Sequence, residues 1–89
     1  MNRAKLREVR IELVDNIEKF NKAYRQERHK VIMLRNKQGA CLKKKNIEHA
    51  EAYAEEIQAK LIQLNAIRET AKNMASMLTQ LYQLERKAS

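Results

Sequence analysis

The chain has 89 residues, no proline, one glycine, four aromatic residues (three Tyr and one Phe) and a net charge of +8. This composition lacks the turn residues and β-formers that a sheet protein needs, and it is rich in helix formers. The single cysteine excludes an internal disulfide, and no apolar run approaches the roughly 18 residues of a membrane span. The N-terminus has no signal-peptide-like apolar segment, so we expect one small helical domain in the cytoplasm.

The positive charge is concentrated in the first half of the chain. Residues 1–45 hold 14 Lys/Arg against 5 Asp/Glu, whereas residues 46–89 hold 5 against 6. Between Lys19 and Lys45, ten basic residues accompany one acid, Glu27. A segment of this kind is expected to contact anions such as phosphate, lipid headgroups or acidic proteins.

The first predicted helix covers about residues 3–44. At 100° per residue, one narrow stripe collects Leu6, Val9, Leu13, Ile17, Phe20, Tyr24, Val31, Leu34 and Leu42. Gly39 resembles a C-terminal cap, but Leu42 returns to the stripe only if the helix continues through the glycine. We therefore expect continuation, at a cost of about 1 kcal/mol relative to alanine.

The second predicted helix covers about residues 46–88, after a turn at about 44–46. Its stripe contains Ala50, Tyr53, Ala54, Ile57, Leu61, Leu64, Ala71, Ala75, Leu78 and Tyr82, extended by Ile67, Met74 and Leu81. Asn46 is a favourable N-cap, and glutamates follow in the first turns, where the helix dipole favours carboxylates. The prediction is an all-α fold: a long antiparallel two-helix hairpin, coiled-coil-like, about 60 Å long and part of a larger helical assembly.

Apolar side chains divide into two predicted groups. The residues expected to pack the hairpin are Leu13, Ile17, Phe20, Tyr24, Ala50, Tyr53, Ala54, Ile57, Leu61 and Leu64. Others lie off both stripes, among them Ile11, Val14 and Ala66, and the candidates for self-assembly are Ile32, Met33, Ile62 and Met77. A hairpin with a second apolar set is expected to meet copies of itself or another partner.

Basic residues beside the first stripe form the predicted anion-binding site. They are Arg3, Arg7, Arg10, Arg25, Arg28, Arg35, Lys43, Lys44 and Lys45. A solvated face built only for solubility would mix signs, which favours a partner surface. Binding of single-stranded nucleic acid usually adds stacking aromatics, but Phe20 and Tyr24 belong to the core stripe. The expected partner is therefore acidic membrane lipid, and nucleic acid is the weaker alternative.

Catalytic chemistry has little support in the sequence. His29 and His49 fall on different helices without a metal or nucleophile motif, so we expect no enzyme, cofactor or metal. Cys41 is expected to be a buried or tolerated thiol near the turn. Arg68 lies in the second stripe and could pair across the hairpin with Asp15 or Glu18, or contact a neighbouring subunit.

The segment CLKKKNIEHAEAYAEEIQAKLIQLNAIRETAKNMASMLTQL resembles the junction of the first two helices in ESCRT-III proteins, the charged multivesicular body proteins and their archaeal cell-division relatives. Lys45 and Asn46 match the family's turn. Ala50 and the YAE motif (residues 53–55) match the start of its second helix, and the positions that match apolar or small residues further along are Leu64, Ala71 and Ala75. The match is good over about residues 40–82 and only general before that.

The resemblance implies a core hairpin that polymerises into filaments, contacts anionic lipid through its first helix, remodels membranes and is disassembled by a AAA-type ATPase. Family members are about twice as long or more, so the chain is expected to be a fragment or minimal core. Its first helix is also more acidic in its first half than is usual in the family.

Together these features predict a membrane-remodelling filament subunit, cytoplasmic and peripheral to membrane, that assembles with itself or related subunits. The alternatives are a coiled-coil adaptor or secretion-type chaperone holding a partner helix, or non-specific nucleic-acid binding.

Overall fold

The computed structural model describes residues 2–88, which form two long helices. Helix α1 is Arg3–Lys43 and helix α2 is Ile47–Ala88. They pack side by side as a rod that measures 66 × 14 × 13 Å. The predicted all-α hairpin is confirmed.

Helix α1 begins at an asparagine cap and continues through its glycine. The Asn2 side chain accepts a hydrogen bond of 2.8 Å from the Lys5 amide, which satisfies one of the unpaired donors of the first turn. Gly39 is helical and has no positive φ. The turn therefore begins after Lys43, and Gly39 is not the C-terminal cap.

The turn between the helices is a Schellman motif built on lysine. Lys45 has a φ of 59°, the left-handed conformation that usually belongs to glycine at this position. Its amide donates to the Leu42 carbonyl at 3.0 Å, and the Asn46 amide donates to the Cys41 carbonyl at 2.8 Å. The Asn46 side chain then accepts from the His49 amide at 3.3 Å and so caps α2.

Burial along each helix follows strict alternating steps of three and four residues, which define the core seam. On α1 the seam is Leu6, Arg10, Leu13, Ile17, Phe20, Tyr24, Glu27, Val31, Leu34, Gln38 and Cys41. On α2 it is Ala50, Tyr53, Ile57, Lys60, Leu64, Ile67, Ala71, Met74, Leu78, Leu81 and Glu85. Every one of these residues is buried or half-buried. The repeat is that of a coiled coil.

Three residues of the predicted stripes lie outside this seam and are exposed to solvent. Leu42 is 52% exposed, Tyr82 is 45% exposed and Ala75 is also exposed. A repeat of 3.5 residues drifts by about 20° per heptad against a straight helix of 3.6 residues per turn. Over the five heptads from Leu6 to Cys41 the drift reaches about 100°. A stripe drawn at a constant 100° per residue therefore includes Leu42, whereas the folded helix places Cys41 in the core seam at this level.

The residues expected to pack the hairpin are all buried or half-buried. A central cluster forms around Val31, Ile57 and Leu64, with Tyr24, Leu34 and Leu61 against it. Val9 and Ala54 flank the seam and are half-buried.

Charged residues of the core seam pair between the helices. Arg10 Nε donates to Glu85 Oε1 at 3.0 Å, and the Arg10 guanidinium carbon lies 5.3 Å from the centre of the Tyr82 ring. Nearer the turn, Lys60 Nζ donates to Glu27 Oε2 at 2.8 Å. These pairs place cation against anion across the interface at two levels of the rod.

The rod leaves much of its surface uncovered. It exposes 7117 Å², whereas a compact protein of 10.5 kDa exposes about 5,400 Å². The excess, about 1,700 Å², is comparable to the total area buried in a standard protein interface, about 1,600 Å².

Candidate anion-binding surface

The half of α1 nearest the turn carries the largest group of exposed cations. Arg25, Arg28 and Arg35 are exposed, and none of them forms an ion pair within residues 2–88. Lys43, Lys44 and Lys45 extend this group into the turn and are also exposed. We call these six residues the basic surface.

The one acid of this half of α1 faces the other helix. Glu27 belongs to the core seam, where one carboxylate oxygen accepts from Lys60 at 2.8 Å and the other accepts from Lys30 at 2.9 Å. These hydrogen bonds, from Lys60 first and then from Lys30, lower the pKa of Glu27. Because Glu27 is neutralised within the hairpin, it does not offset the charge of the basic surface.

A shallow depression lies on the outer side of α1 within this region. Its lining residues are Arg25, Gln26, His29 and Lys30. The depression combines two cations with the amide of Gln26, which can donate hydrogen bonds. Such a set suits an anionic headgroup or any other oxyanion, and its wide opening suits a surface contact better than an enclosed ligand.

The predicted basic residues at the other end of α1 divide into two kinds. Arg3 and Arg7 are exposed and unpaired within the described chain. Arg10 differs, because Glu85 of α2 lies against it and their hydrogen bond raises the pKa of Arg10. Arg10 of the predicted anion-binding site is therefore paired within the hairpin, because the fold brings Glu85 to this side.

The helices have opposite charge beside the turn. Residues 19–45 carry ten basic residues and one acid, whereas residues 46–69 carry five acids, Glu48, Glu51, Glu55, Glu56 and Glu69, and two bases. The antiparallel arrangement places these segments next to each other along the rod. One side of this half is consequently cationic and the other is anionic.

The residues predicted to mediate self-assembly are on the surface. Ile32 and Met33 on α1, and Ile62 and Met77 on α2, are each about half exposed or more. Ile62 is the most exposed of the large apolar residues, at 71%. The packing of the two helices against each other leaves these four side chains uncovered.

Other residues singled out in the sequence make few contacts. Arg68 is exposed and forms no ion pair with Asp15 or Glu18, so the intramolecular pairing considered for it is absent from the described residues. Cys41 is a half-buried free thiol in the core seam. Within residues 2–88, no cluster of three or more His, Cys, Asp or Glu side chains could hold a metal ion.

A second surface feature, a groove between the helices, was not predicted from the sequence. A groove of about 350 Å³ opens between the helices, lined by Ile17, Asn21, Tyr24, Ile67, Arg68, Ala71, Lys72 and Ala75. The small side chains of Ala71 and Ala75 leave the space open. The spacing of the alanines could have indicated a stretch of small side chains in α2. Only the pairing of the helices shows which side chains of α1 lie opposite that stretch.

Neither helix, over the described residues, contains a stretch long and apolar enough to cross a membrane. Comparison of the chain with protein-family models, curated proteins and solved structures finds no match in any of the three.

Proposed function

We propose that the chain is a subunit of a membrane-remodelling filament, which self-assembles and binds anionic membrane through the basic surface of α1. The observation that carries this proposal is the basic surface itself: exposed cations gathered on one helix, with the nearby acid, Glu27, neutralised inside the hairpin. The resemblance of residues 40–82 to ESCRT-III proteins points in the same direction.

The charge and shape of the rod suit a membrane better than a compact ligand. Each Lys or Arg held near an anionic bilayer contributes about 1 kcal/mol of binding free energy. Several exposed cations on one rigid helix therefore bind the membrane surface without inserting apolar side chains into the bilayer. A rod of 66 Å can lay such a surface along a bilayer. The excess exposed area supports the second part of the proposal, namely that copies cover each other.

Vesicle co-sedimentation tests the membrane contact. The protein is expected to sediment with vesicles containing phosphatidylserine, to stay in solution with purely zwitterionic vesicles, and to be released as salt shortens the screening length from about 10 Å at 0.1 M to about 3 Å at 1 M. Equal binding to both kinds of vesicle would contradict the proposal.

A matched pair of variants separates the basic surface from net charge. Arg25→Glu with Arg35→Glu reverses two charges on the surface, and Lys5→Glu with Lys87→Glu reverses two exposed charges elsewhere. Both variants change the net charge equally. The first is expected to weaken vesicle binding by at least about 30-fold, and the control by much less.

The adaptor alternative predicts a different result with the same material. A coiled-coil adaptor would use its exposed apolar residues to hold one partner helix and would stay dispersed on its own. Electron microscopy of the protein on anionic vesicles distinguishes ordered filaments from dispersed rods.

A further inference from the structure

Two surface features of the open half of the rod, away from the turn, are complementary in charge, and both are partly apolar. One is the groove described above. The other, which we call the acidic patch, consists of Ile11, Val14, Glu8, Asp15 and Glu18. We propose that the acidic patch of one copy binds the groove of a second copy, and that the contact is reciprocal within an antiparallel dimer.

The acidic patch presents an apolar side chain beside carboxylates. Ile11 is 50% exposed. Glu8 precedes it by three residues and Asp15 follows it by four, so both are its neighbours on the helix surface. Glu18 stands in the same relation to the half-buried Val14. Arg7 is the one base three or four residues from Ile11. Glu8 lies 4.0 Å from Lys5 in a solvent-exposed pair, and Asp15 and Glu18 form no ion pair within residues 2–88.

The groove presents the opposite combination. Its floor and walls are largely apolar, including Ile17, Ile67 and Ala71. Arg68 and Lys72 stand at its edge, exposed and without an ion pair in the described chain, and no acid lines it. An apolar side chain flanked by carboxylates fits this site both by burial and by charge.

The position of the two features on the rod selects the symmetry. Val14 and Asn21 are seven residues apart and each directly follows a core seam residue, so the Val14 side of the acidic patch and the groove open on the same edge of the hairpin. Their centres, near Ile11 and Asn21, are separated by about 15 Å along the axis. A two-fold axis between them brings each patch to the partner's groove, so both contacts form at once, as in the common isologous dimer.

This inference rests on the self-association in the proposed function and specifies the contact that begins it. The two-fold axis lies near residue 16 of α1, so the two rods overlap as far as about residue 29, and Arg35, Lys43, Lys44 and Lys45 of each basic surface lie beyond the overlap. Further contacts between dimers would then use the exposed apolar residues nearer the turn, Ile32, Met33 and Ile62.

Charge exchange between two variants tests the contact. Asp15→Lys with Glu18→Lys makes the patch basic, and Arg68→Glu with Lys72→Glu makes the groove acidic. Each variant alone places like charges at both contacts and is expected to associate at least about 100-fold more weakly than the wild type. Mixing the two restores opposite charges at both contacts, so a heterodimer is expected in sedimentation velocity.

A control variant, Glu51→Lys with Glu55→Lys, has the same net charge as the basic-patch variant but changes exposed residues beside the turn. It is expected to dimerise like the wild type. Circular dichroism of each variant establishes that the hairpin is folded. A wild type that stays monomeric at millimolar concentration, undiminished association of either variant, or a mixture without a heterodimer would overturn the contact.

Disulfide trapping provides an independent readout in a Cys41→Ser background. A chain with Ile11→Cys mixed with a chain with Ala71→Cys is expected to form a covalent heterodimer under mild oxidation, and neither chain alone should do so efficiently. The absence of that product would also overturn the contact. Vesicle binding by the charge-exchange variants reports separately on the proposed function, because their basic surfaces are intact.

Discussion

Arg10 on α1 donates a hydrogen bond of 3.0 Å to Glu85 on α2, although the two residues are 75 positions apart in the sequence. Both side chains are largely covered, and the Tyr82 ring lies against the guanidinium. The pair occupies core seam positions near the open end of the rod, where no covalent connection holds the helices together. The pair is therefore expected to hold the two helices together at this end and to help fix the register of α1 against α2.

Glu85→Gln should loosen the open end of the hairpin, because it leaves the Arg10 guanidinium partly covered without its counter-charge. Amides in the first turns of α1 and the last turns of α2 are expected to exchange hydrogen faster, whereas amides beside the turn keep their protection. The reciprocal variant, Arg10→Glu with Glu85→Arg, should recover part of the protection. Unchanged exchange in Glu85→Gln would show that the pair does not hold this end.

Glu27 should make the stability of the hairpin depend on acid. Its pKa is lowered in the fold by hydrogen bonds from Lys60 and Lys30, so the carboxylate stabilises the folded state above its unfolded pKa of about 4.3. That contribution is lost as the pH falls through the lower, folded-state pKa. Thermal melts of wild type and Glu27→Gln are expected to converge as the pH is lowered from 6 to 3. A gap that is constant with pH would contradict the assignment.

Gly39→Ala should stabilise the protein by about 0.5–1 kcal/mol. Gly39 is inside α1 with a helical backbone, and a β-carbon built there meets no atom within 4 Å. Alanine therefore gains helix propensity without a clash. Urea denaturation measures the change, and a decrease in stability would indicate that the glycine is needed for a contact outside the hairpin.

Lys45→Gly should also stabilise the protein, for a different reason. Lys45 has a φ of 59°, which costs a side-chain-bearing residue about 1 kcal/mol compared with glycine. The same urea experiment should show a gain of about that size, and Lys45→Val a loss. If Lys45→Gly also weakens vesicle binding, the lysine charge at the turn contributes to the basic surface.

The fold was predictable because its signals are local. Helix formers without proline, a cap at Asn46 and apolar periodicity define two helices and the turn between them. The seam was predictable only in part, because a fixed angle of 100° per residue ignores the drift of a coiled coil. Because of that drift, Cys41 and not Leu42 occupies the last core seam position of α1.

The surface was less predictable than the fold. The cluster of cations before Asn46 is visible in the sequence, but their separation from acids depends on which residues α2 brings close. Glu85 removes Arg10 from the basic set, and Lys60 neutralises Glu27. The groove beside Arg68 arises from small side chains of α2 facing α1, which the sequence of either helix alone does not specify.

Electron microscopy on phosphatidylserine-containing vesicles tests whether the chain forms membrane-bound filaments through its basic surface. The wild-type protein is compared with Arg25→Glu/Arg35→Glu and with the control Lys5→Glu/Lys87→Glu. We expect ordered filaments on the vesicles for the wild type and the control, their dispersal in high salt, and bare vesicles for the basic-surface variant. Dispersed rods without order on the wild-type vesicles, or filaments that form equally well on zwitterionic vesicles, would contradict it.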